Sequence, residues 1–149
     1  MIRHVLAACV LSMPAALSGQ AHPLVGSWDV SLPGGMRVMN GQTSFTMAKG
    51  NLTFTIEGDS MVGLLKMESS TRPPTRLAAK LQLGPLTFVQ VSRGSVTTNG
   101  EPSTRVATTT WIFEAEGDAL KGSLERTVEG MSLPMGGKQP VTGKRKQSD

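Results

Sequence analysis

Beyond residue 24, apolar and polar residues alternate with a period of two along almost the whole chain, while the three-to-four-residue spacing of an amphipathic helix is nearly absent. The alternation predicts strands over 25–32, 36–39, 42–47, 51–57, 60–68, 75–83, 86–92, 105–116, 119–128 and 140–146. Loops are expected over 69–74, 94–102 and 129–139. Short strands punctuated by Gly, Asn and Pro are the signature of a sandwich or barrel. The reading is all-β, a small antiparallel up-and-down β-barrel of about eight to ten strands. Past Pro85 the pattern fits two registers: Leu86, Phe88 and Gln90 facing inward, or Val89 and Val91.

One stretch of this pattern occurs twice, 59 positions apart: FTIEGDSMVGLL from Phe54 to Leu65 and FEAEGDALKGSL from Phe113 to Leu124. Each copy reads as a hairpin with Gly-Asp as a two-residue type II′ loop, in which glycine takes the positive φ. The loop fixes register. Ile56 faces Met61, Phe54 faces Gly63 and Leu52 faces Leu65; in the second copy Ala115 faces Leu120, Phe113 faces Gly122 and Trp111 faces Leu124. Each repeat thus lays an aromatic ring over a strand glycine, which covers bare backbone and pins the pairing. Extending the second register places Arg126 on the same face as Leu120 and Leu124, with Thr109 opposite it. Asn40-Gly41 is a further hairpin turn.

Residues 1–21 carry the marks of a secretory signal peptide: Arg3 and His4, an apolar stretch from Val5 to Leu17, and the small-x-small site Gly19-Gln20-Ala21. Pro14 and Ser12 interrupt a run too short for a membrane span, which needs about 20 apolar residues. The expected product is one domain over 22–149, exported to a periplasm or the extracellular space, with no stable membrane span. Cys9 is the single cysteine and leaves with the leader, so the exported domain is built without disulfides. The net charge of +4 falls to +3 when Arg3 is removed, and the charges are spread over polar strand faces. That distribution indicates solubility, with no nucleic-acid partner.

Gly26-Ser27-Trp28, at the start of the first strand, resembles the GxW motif of lipocalins and other calycin-type barrels. The resemblance implies an up-and-down barrel in which the tryptophan packs beneath a basic residue near the barrel's end, here Arg145 or Arg126. A last strand antiparallel to the first would bring Arg145 to Trp28, the pair expected to close the barrel. The family's tyrosine-containing second motif and its disulfide have no counterpart, since the chain has no tyrosine and one cysteine. The resemblance also implies a small-molecule carrier.

Catalytic chemistry has few carriers. The exported domain has no cysteine or tyrosine and a single histidine, His22, at its expected N-terminus. Asp59 and Asp118 sit where turns favour Asp for backbone reasons, so no enzyme is expected and no cofactor or metal. Methionines at 36, 39, 47, 61, 67, 131 and 135 read as adaptable packing rather than thioether ligands. An inward Arg126 is costly unless paired or wet. It either closes one end or lines a mouth where, with Thr109 and Met131 or Met135, it anchors an anionic head group. The functional expectation is an exported barrel binding a hydrophobic or anionic amphipathic small molecule. The alternative is a filled barrel acting as a protein-interaction or envelope accessory module.

Overall fold

The structure, a computed structural model, describes residues 22–130 and 138–147. The expected leader at 1–21, together with Met131 and Met135, lies outside the described residues. Eight antiparallel strands are present: β1 (Gly26–Met39), β2 (Gln42–Glu57), β3 (Ser60–Met67), β4 (Thr75–Lys80), β5 (Leu86–Thr98), β6 (Glu101–Glu116), β7 (Ala119–Val128) and β8 (Gln139–Arg145). Each pairs with its sequence neighbour except across β4 and β5, and β8 returns to pair with β1. The result is an up-and-down, nearly closed barrel. β4 and β5 are the two ends of the hydrogen-bonded order and meet at a seam without a ladder.

The Gly-Asp hairpins take the register that their loops dictate, with Phe54 opposite Gly63 and Phe113 opposite Gly122. Gly58 and Gly117 have φ of 62° and 59°. A Cβ on Gly63 would lie 2.9 Å from the Phe54 ring, and one on Gly122 only 2.8 Å from the Phe113 ring and 2.5 Å from the Ile112 carbonyl oxygen. The rings therefore occupy the space that glycine leaves. Asn40-Gly41 turns β1 into β2 with positive φ at both residues.

Three sequence expectations are corrected. Strands 25–32 and 36–39 are one strand, because a bulge between Pro33 and Gly35 absorbs the Pro-Gly-Gly interruption; 42–47 and 51–57 likewise form one continuous β2. The loop expected over 94–102 is a tight hairpin instead. Asn99 (φ 53°) and Gly100 (φ 82°) form its turn, and β5 and β6 stay paired out to Thr98 and Glu101. Its Ser/Thr-rich flanks masked the Asn-Gly signal. Strand β4 stops at Lys80 rather than reaching Leu83, which stands 95% exposed.

The choice of register past Pro85 is settled by burial. Leu86 and Phe88 are fully buried, whereas Val89 and Val91 are exposed on the outer wall. Trp28, Phe54, Phe88, Phe113, Leu52 and Met61 are fully buried in the core. The rings of Phe54, Phe88 and Phe113 lie 5.5–5.9 Å apart, and Trp111 stacks on Phe113 at 5.9 Å. Such contacts add to the area that the rings bury. Leu24, also fully buried, belongs to the same cluster. The half of the barrel nearest the Gly-Asp turns is therefore packed. At the other end β1 and β2, and likewise β5 and β6, run on beyond their neighbours as two-stranded ribbons.

Candidate functional site

At the packed end, Arg145 and Trp28 are paired across β8 and β1, and the Arg145 guanidinium carbon lies 4.2 Å from the Trp28 ring centroid. This is the stacking expected of a last strand antiparallel to the first. The same guanidinium donates to the carbonyls of Val25 and Pro23, each at 2.8 Å, and meets the Asp118 carboxylate at 3.4 Å. Residues 22–25 are thereby fastened under the barrel. The Trp28 indole N–H donates to the Leu24 carbonyl at 2.8 Å. Gly26 is required here: its φ is 127°, and a Cβ would sit 2.8 Å from Arg145 Nη1. His22, expected at the N-terminus of the exported domain, is half-buried. Its Nδ1 accepts from Leu24 N and its Nε2 meets the Gln82 carbonyl, tying this segment to the loop before β5.

At the ribbon end, the register places Arg126 opposite Thr109, and Thr109 opposite Gln90. The three form a polar row on the interior face of β7, β6 and β5. Arg126 itself is exposed, and Thr109 and Gln90 are half-buried. Arg126 lies two residues past Leu124, the last β7 residue paired with β8, so it stands at the rim opposite Arg145. The equivalent row on β1, β2 and β3 is Val30, Gly50 and Met67. β2 and β6 are four strands apart in an eight-stranded barrel, so the apolar and polar rows line opposite walls.

One layer deeper on β6 is Trp111, 6% exposed, whose buried indole Nε1 has no hydrogen-bond partner. Gln90, Trp111 and Arg105 were not singled out from the sequence as site residues. Gln90 depended on the unresolved register past Pro85. Trp111 read as core, because indole satisfaction depends on tertiary neighbours. Arg105 donates to the Glu129 carbonyl at 3.0 Å and anchors the end of β7.

The remaining surface offers less. An open groove of about 430 Å³ crosses the outer wall of β8, β1 and β2, with Asp29 and Glu68 balanced by Lys49 and Lys144. Lys121 faces Glu114 in register but pairs with Glu116 at 2.6 Å. The Glu116 hydrogen bond and charge raise its pKa. Among the described residues no three His, Cys, Asp or Glu side chains gather as a metal site, and no helix is long and apolar enough to cross a membrane. Compared with known proteins, the chain matches no protein-family model and no curated protein.

Proposed function

We propose that this protein is an exported, lipocalin-like barrel that holds a small amphipathic molecule in the ribbon-end half of its interior. The observation that carries the reading is the asymmetry of that half: Val30, Gly50 and Met67 present an apolar wall and Gln90, Thr109 and Arg126 a polar one. An anionic head group would meet Arg126 and Thr109, and a short apolar body would lie against the opposite wall. The GxW glycine and tryptophan under Arg145 support the family likeness. The aromatic layer at the packed end limits the depth available, so the ligand is compact and held near the rim.

That same layer favours the second reading, a filled barrel serving as an interaction or envelope accessory module. Calorimetric titration of the mature domain with octanoate and dodecanoate separates the two. Binding weakened about tenfold or more in Arg126→Met, which keeps length and loses charge, is the expected result. No binding by the parent would favour the filled module. Equal binding by parent and variant would remove Arg126 from the site.

A further inference from the structure

The two tryptophans are both buried but differ in what their indole N–H groups meet. Trp28 is fully buried and its indole N–H is engaged by the Leu24 carbonyl. Trp111 is nine-tenths buried and its N–H has no partner. Buried donors are almost always satisfied, because water was given up to bury them. The Trp111 row, Phe88, Trp111, Leu124 and Gln139, lies next to the row of Gln90, Thr109 and Arg126. Trp111 and Thr109 are two residues apart on one strand face, roughly 7 Å along β6. An indole donor thus lies one layer beneath a guanidinium and a hydroxyl, on the same wall of one interior.

We infer that the Trp111 Nε1–H is a ligand-recognition group, and that the ligand is a small carboxylate-bearing amphiphile. Its head group accepts from Trp111 on the inner side and is neutralised by Arg126 on the rim side. The inference rests on the binding reading above and deepens it by naming the ligand's chemistry. Both groups are donors only, so they recognise acceptor oxygens and discriminate against a cationic amine. An alkyl chain alone leaves the indole unsatisfied. Trp111 stacks on Phe113, so the donor is held by a packed ring rather than by a mobile side chain.

The test uses the ¹⁵N-labelled mature domain, whose two tryptophans give two indole N–H signals, with octanoate and octylamine as probes. Octanoate should shift the Trp111 indole signal, identified by its loss in Trp111→Phe, and leave that of Trp28 in place. Octylamine should shift neither. Calorimetry should show octanoate binding weakened about ten- to a hundredfold in Trp111→Phe, the range for a hydrogen bond to a charged group. If octanoate binds the parent but the Trp111 signal stays fixed, or Trp111→Phe binds as tightly, the indole is not the donor and this inference falls while the binding reading stands. If octanoate neither releases heat nor moves any signal, both fall. Should Trp111→Phe fail to fold, the parent spectrum still decides, because the Trp111 signal is then assigned by its ring's proximity to Phe113, on which it stacks.

Discussion

Strands β1–β4 and β5–β8 are two versions of one four-stranded unit. The Asn-Gly turns at 40–41 and 99–100 and the Gly-Asp turns at 58–59 and 117–118 keep the 59-residue offset. The β1 bulge adds one residue, so Trp28 corresponds to Phe88 and Val30 to Gln90. Beyond the turns, Leu81 N donates to the Asp59 carbonyl as Arg145 N does to that of Asp118, which makes Leu81 the counterpart of Arg145. The copies share their turns and aromatic-over-glycine pairs, where backbone geometry leaves few choices. They differ at two places. One is the join between halves: β8 and β1 form a ladder crowned by Arg145 on Trp28, while β4 and β5 meet without one. The other is the rim row, apolar in the first copy and polar in the second. Where the copies agree, they build the barrel; where they differ, they create closure on one side and a two-sided mouth.

The equivalence of the halves is tested hardest at the aromatic layer. Phe54→Ala and Phe113→Ala should each cost about 3 to 5 kcal/mol in urea unfolding, since both rings are fully buried and touch each other. A cost below about 1 kcal/mol for one of them would mean that its half does not share the packed layer.

The glycines beneath those rings sharpen the comparison. Gly122→Ala should cost about 3 kcal/mol and Gly63→Ala about 1 kcal/mol. The new methyl meets a backbone oxygen in the second half and only a ring edge in the first. Carbonyl groups in a ladder yield less than a side chain. Equal losses would show that both hairpins relax alike.

The joins between the halves give the last comparison. Arg145→Met should cost about 2 kcal/mol through the lost stacking and the released Pro23 and Val25 carbonyls. Its counterpart Leu81→Ala should cost about 1 kcal/mol, because Leu81 is only partly buried against the core. If Leu81→Ala were the more damaging, the unladdered join would be the tighter one, and the reading of β8–β1 as the closure would be reversed.

Alternation and turn chemistry act over a few residues, so the sequence by itself determined the all-β class, both Gly-Asp hairpins, their registers and the Thr109–Arg126 pairing. The same locality explains where it stopped. Two registers past Pro85 satisfied the alternation equally, and only burial of Leu86 and Phe88 against the other half chose between them. Asn99-Gly100 carried a turn signal as strong as Asn40-Gly41, but pairing of its polar flanks over 92–98 and 101–107 became visible only in the ladder. Arg145 could be assigned to Trp28 from strand order, because an antiparallel last strand has one end at that place. The tertiary structure alone decided that the packed end is filled, that β4 and β5 do not pair, and that the Trp111 N–H is buried unmet. Each of these depends on which atoms from distant strands arrive at one point, a property of the closed barrel that no single strand encodes.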